Sequence, residues 1–346
     1  MKTIFTLLSA IFILWSCSDD DDRVPNPGTC DGSGNLAISF SNDDFQTRAF
    51  SDSIATPAEK LVNTAKIFIF RQNDGSKLFE RDLTSSEISS IGSNPVNVSV
   101  PGMQVSTPYL FYMIINKGDM SATSLSNLQS LNETDITTYN GTWASVADGN
   151  STPNRPGGFV MTGNVTQSSP SDLTQTQNVS FIMKRITAKL DIKTTIDPNY
   201  FGAGKKYLGT IVVDSAKILK TQGSTPLILG TPTTITGSTT LGKQASYAAT
   251  ANSLYENRFY IFENGTLNAG SRIQLALYAT YTNNGISTPV IYNTELAGSS
   301  NNGIFIRNGA YNINANLQGL TGASLSVTIT LNNWETVVTQ NINLGS

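Results

Sequence analysis

The sequence predicts an all-β protein built of antiparallel β-sandwiches, and three observations carry that prediction. Short alternating or β-branched apolar runs recur from Leu36 almost to the C-terminus. Clusters of Gly, Asn, Asp, Ser and Pro break them at short intervals, as turns require. Charged residues make up only 14% of the 346 residues, while Thr, Ser, Asn and Gly abound, which suits strands with polar outer faces better than helices. The length favours two domains over one.

The N-terminus is of another kind. Lys2 precedes an apolar run from Ile4 to Trp15, too short to cross a bilayer comfortably and of the length of a signal-peptide core. Leu14-Trp15-Ser16-Cys17 ends it like a lipobox, with a cysteine directly behind a small residue, although Trp15 is unusual there. Cys17 is thus the expected lipidation site; an ordinary cleaved leader with an incidental cysteine is the alternative. Ser18 and four acids, Asp19 to Asp22, follow. Adjacent carboxylates repel one another and stay hydrated, predicting an extended tether.

Behind the tether, Leu36, Ile38 and Phe40 alternate with smaller residues and predict a half-buried strand. Ala65 to Phe70, the turn Asn73-Asp74-Gly75 and Lys77 to Phe79 predict a hairpin. Val96, Val98 and Val100 predict a strand stopped by Pro101-Gly102, and the continuous apolar run Tyr109 to Ile115 one buried on both faces. Leu125 and Leu128, three apart, predict a short helix within Ser121 to Leu131. After a Gly/Pro/Asn-rich loop from Asn140 to Gly158, strands are expected at Phe159 to Thr162, Asn178 to Met183, Thr187 to Lys193 and Gly209 to Leu219. Further strands are expected at Arg258 to Phe262, Ile273 to Tyr281, Val290 to Tyr292, Ala310 to Leu317 and Leu325 to Leu331. Beyond Trp334, the even positions Thr336, Val338, Gln340, Ile342 and Leu344 form a last period-two pattern.

Composition narrows the chemistry. The chain has no histidine and only two cysteines, Cys17 and Cys30. That excludes a Ser-His-Asp triad, a Cys-His pair and the usual zinc sites, and leaves no disulfide framework. The expectation is a protein that is not an enzyme, with no catalytic residues, no metal and no cofactor. A net charge of −3 without a Lys/Arg block argues against nucleic acid as a partner. Gly237 to Lys243 has the spacing of a phosphate-binding loop, but Gln244 stands where a Ser or Thr hydroxyl is needed and no buried strand precedes it. A surface loop is the expectation there.

Several segments taken in order carry a resemblance: the lipobox, Thr47-Arg48-Ala49-Phe50, Phe159 to Gly163, Phe181 with Lys184 to Lys189, and Phe259 to Asn264. Arg307 to Tyr311, Val327 to Trp334 and the alternating tail complete the series. Together they resemble the fimbrillin superfamily of Bacteroidota, the lipoprotein pilins of type V pili, over nearly the whole chain. The acidic tether likewise resembles the surface-export signal of Bacteroidota lipoproteins. The resemblance implies two transthyretin-like sandwiches in tandem. It also implies an outer-membrane lipoprotein precursor anchored through Cys17 and cut between Arg48 and Ala49 by an Arg-specific protease. Leu36, Ile38 and Phe40 would be the leader strand removed by that cut. Val338, Ile342 and Leu344 would be a donor strand for a neighbouring subunit, entering by β-strand addition. Residues 1–17 are then signal and lipobox, 18–48 propeptide, 49–184 the N-terminal sandwich and 185–346 the C-terminal sandwich with its tail. Expected partners are other pilin subunits, as a homopolymer or with accessory subunits, the maturation protease and a surface ligand. A shaft subunit fits best, a tip or accessory subunit next. The rival reading is a surface glycan-binding lipoprotein, with Trp143 or Trp334 as stacking platforms.

Overall fold

A computed structural model describes residues 32–42, 55–56, 58–91, 94–134, 136–140, 155, 157–228, 238–250, 254–296, 303–320 and 325–333. The chain divides into two units, Met1–Cys30 and Asp31–Ser346, and everything described lies in the second. The protein is all-β with a few short helices. In chain order the first half comprises β1 (Gly32–Asn42), β2 (Ala65–Arg71), β3 (Lys77–Asp82), α1 (Ser85–Ser90), β4 (Val96–Met103) and β5 (Pro108–Ile115). It continues with α2 (Leu125–Ser130), β6 (Asn132–Glu133), β7 (Met161–Ser168) and β8 (Thr176–Arg185). The second half holds β9 (Thr187–Ile196), β10 (Thr210–Thr221), β11 (Thr225–Pro226), β12 (Thr239–Ala245), β13 (Tyr247–Thr250) and β14 (Leu254–Phe262). It ends with β15 (Gln274–Asn283), β16 (Ile286–Glu295), β17 (Gly309–Leu317) and β18 (Leu325–Asn333).

The first seven-stranded sheet runs β3-β2-β5-β7-β8-β1-β4. Only Met161–Arg185 and Thr162–Lys184 join β7 to β8, so the sheet folds over there into two layers. Gly163 sits at that corner, where a Cβ would come within 2.7 Å of the Ile182 carbonyl oxygen, and a side chain would force the layers apart. Between the layers lie Ile67, Ile69, Tyr109, Phe111, Met113, Val96, Val98 and Val100, all buried. β5 is indeed covered on both faces: Tyr112 and Ile114, with Phe68 and Phe70 of β2, join a second core shared with the other half of the molecule. That core fills the space between the sheets β12-β10-β15-β16 and β13-β14-β9-β17-β18. It also reaches back to Leu128 of α2 and to Tyr139 and Phe159. Ring contacts of Phe159 with Tyr260 at 4.7 Å and of Tyr139 with Phe262 at 5.9 Å continue it across, within the range of favourable aromatic pairs.

Two expectations need correction. β4 does not stop at Pro101-Gly102 but runs to Met103. It lies at the sheet edge, where proline's missing N–H costs no ladder bond. Pro101 and Gly102 form an irregularity between the pairs Gly34–Val100 and Gly32–Met103, with Gly102 at φ 72°. The second correction concerns Ser238 to Lys243, which is not a surface loop but mostly strand: β12 pairs with β10, and Leu241 is buried. Tertiary pairing overrides the glycine and lysine there. α1 was not anticipated either, although Thr84 and Glu87 form a reciprocal capping box.

Candidate functional site

β1 occupies an interior position in the sheet. It runs parallel to β8 in an unbroken register from Asn35–Thr176 to Asn42–Met183, and antiparallel to β4 through Leu36–Val98 and Ile38–Val96. Alternation sends Leu36, Ile38 and Phe40 inward, at 1%, 0% and 9% exposure, into the core that holds Ile69, Phe111 and Met113. On the other face Ser39 and Ser180 share a hydrogen bond of 2.8 Å. Each fully buried side chain of this size stabilises by about 1.5–3 kcal/mol, so β1 is held by several kcal/mol besides its ladder bonds. The strand fills a slot walled by β8 and β4.

Arg48 and Ala49, which follow β1, lie outside the described residues, as do Cys17, Val338, Ile342, Leu344 and both Trp143 and Trp334. Arg48 is the only basic residue between Asn42 and Lys60. The last described strand, β18, is the edge of the five-stranded sheet and ends with Asn333 opposite Gly309. Among the described residues no group of three or more His, Cys, Asp or Glu could hold a metal ion.

A second arrangement, unforeseen in the sequence, lies in the next described segment after β1. Glu59, in a short 3₁₀ turn at Ala58–Lys60, is fully buried. Its carboxylate accepts from Lys189 Nζ at 3.2 and 3.3 Å, from the Tyr260 hydroxyl, and from the Thr56 backbone N–H at 2.7 Å. Arg185 Nε donates to the Glu59 carbonyl at 2.9 Å. Arg258 forks onto Asp191 beside them. Burial pushes the Glu59 carboxyl upward, but Lys189, Arg258, the Tyr260 hydroxyl and Arg185 outweigh it and hold it below the usual carboxylate range. Burial, aided by Arg258, lowers Lys189 against the pull of Glu59 and Asp191. Burial and the Glu59 charge raise Tyr260 well above its ordinary value. Thr56-x-x-Glu59 carries the capping-box spacing, the one local signal from which this turn could have been read.

The chain belongs to the family of fimbrillin-A associated anchor proteins Mfa1 and Mfa2, whose model matches residues 27–340. It is therefore a fimbrial, cell-surface protein of a structural family. Solved structures of similar fold include a candidate cell adhesion protein of Parabacteroides distasonis, with TM-score 0.59, 12% identity, and coverage of 89% of this chain and 98% of that one. The C-terminally truncated tip fimbrial protein Mfa3 of Porphyromonas gingivalis aligns with TM-score 0.51 at 14% identity, over 87% and 99% of the two chains. The fimbrilin FimA of Porphyromonas gingivalis aligns with TM-score 0.51 at 12% identity, over 89% and 98%. No curated protein matches the sequence.

Proposed function

We propose that this chain is a pilus subunit, made as a precursor lipidated at Cys17 and assembled by exchanging β1 for the tail of a neighbour. Its role is adhesion through the fibre. The observation that carries this reading is the position of β1: buried between β8 and β4, yet the first strand among the described residues and followed by a stretch whose only basic residue is Arg48. Between β1 and β2 the sequence offers an Arg-specific cut one place to fall, between Arg48 and Ala49. Arg71, the next arginine, is the last residue of β2. Once cut, the leader and its lipid leave together. The vacated slot exposes the edges of β8 and β4 and an apolar floor, which invites strand addition. Val338, Ile342 and Leu344 of another subunit would supply the alternating apolar side chains that Leu36, Ile38 and Phe40 withdraw. Head-to-tail exchange is heterologous and does not close on itself, so it builds a filament. Identical subunits or accessory pilins serve equally as donors.

A disulfide lock tests the exchange. Ser39 and Ser180 face each other in the parallel register, within reach of a cystine bridge. In a Cys30→Ser background, Ser39→Cys with Ser180→Cys should give a precursor that is still cut after Arg48, keeps β1 attached, and does not polymerise until a thiol reductant is added. Polymerisation of the oxidised, locked protein would refute strand exchange at this slot. The family's description as anchor proteins favours a second reading, in which the subunit keeps β1 and its lipid and ends the fibre at the membrane.

A further inference from the structure

We propose that the Glu59 cluster is a latch on the retained side of the slot, fixing residues 55–64 so that loss of β1 does not loosen the new N-terminus. The significance of the latch rests on the reading of β1 as a removable strand; its geometry does not. Ala55 is already buried in the core shared by the two halves. Thr56 and Glu59 then cap each other, with Thr56 N–H to Glu59 Oε2 at 2.7 Å and Glu59 N–H to Thr56 Oγ1 at 3.3 Å. Lys189 and Tyr260 hold the side chain of Glu59, and Arg185 holds its carbonyl. These partners lie on β8, β9 and β14, and none on β1.

A few residues on, the same segment is gripped from the other half. Asn116, at φ 60° just past β5, accepts from the N–H groups of Asn63 and Thr64 at 2.8 and 3.3 Å. It donates to the carbonyls of Leu61 and Phe159 at 2.7 and 2.8 Å. The chain from Thr56 to Thr64 is thus clasped on both sides by side chains that stay in the molecule after any cut upstream of Ala55. A buried carboxylate is a costly way to dock a turn, since dehydrating it is repaid only by well-placed partners. What it confers is one position, where an apolar plug could slide.

Hydrogen exchange on the soluble precursor, before and after cleavage at Arg48 and release of the leader, tests this. The amides of Glu59, Lys60 and Leu61 should exchange at the same rate in both forms, and about tenfold or more faster in Glu59→Gln. Tyr260→Phe removes one hydrogen bond and no charge; it should speed the same amides by a smaller factor and serves if Glu59→Gln does not fold. Loss of protection at these amides when wild-type β1 departs overturns the latch, and so does unchanged protection in both variants. The amides of β4 and β8 report separately: if they stay protected after release, strand exchange at the slot fails while the latch stands.

Discussion

Glu59 and Ile38 are both fully buried, but they are held by different physics. Ile38 is kept by area removed from water, which any apolar side chain of similar volume in the same register could supply. That indifference is what an exchangeable strand needs. Glu59 is kept by directed bonds to Lys189, Tyr260 and Thr56, and no other side chain reproduces them. Removing one member of such a buried pair strands the other charge, at about 3–5 kcal/mol. The pH dependence follows from the sign of the shift. Glu59 is held below its ordinary 4.5 in the folded protein, so its contribution is fully present above that value and is lost as pH falls through the folded one. The stability gap between wild type and Glu59→Gln, from urea midpoints, should therefore be wide near neutrality and narrow progressively below 4.5. A gap independent of pH would show that the carboxylate charge is not what holds the turn.

At the scale of elements, sequence legibility followed periodicity. β1, β5, β17 and the hairpin of β2 and β3 announced themselves through alternating or continuous apolar runs and a turn signal. β12 did not, because its pairing with β10 is decided by distant residues and its Gly-Lys content mimics a loop. The strand pattern at Leu36 to Phe40 was readable, whereas its place between β8 and β4 was not, since a parallel partner some 140 residues away leaves no local trace: Ser39 pairs with Ser180. The Glu59 cluster was hidden for the same reason, its members coming from four separate segments. β18 pairs with β17 as far as Asn333, the last of the described residues, and the alternating tail beyond it is the segment proposed as donor. A subunit lacking residues 335–346 should fold with an unchanged melting transition. Mixed with full-length cleaved subunits, it should shorten the fibres seen by electron microscopy. Fibres of unchanged length would remove the tail from the donor role.

For the whole molecule, the two halves share one continuous core through Phe159, Tyr260, Tyr139 and Phe262, and the clasped segment from Thr56 to Thr64 bridges them. Among the described residues the body is thus one packed unit, and the slot of β1 is the place that proteolysis is proposed to open. That division of labour, a fixed body with one replaceable strand, is the central claim. Its most direct test is the N-terminus and intact mass of the subunit recovered from assembled fibres. The account predicts a free Ala49, no acyl chain and no peptide from residues 32–42. Subunits that begin at an acylated Cys17 and still carry β1 within the fibre would contradict it.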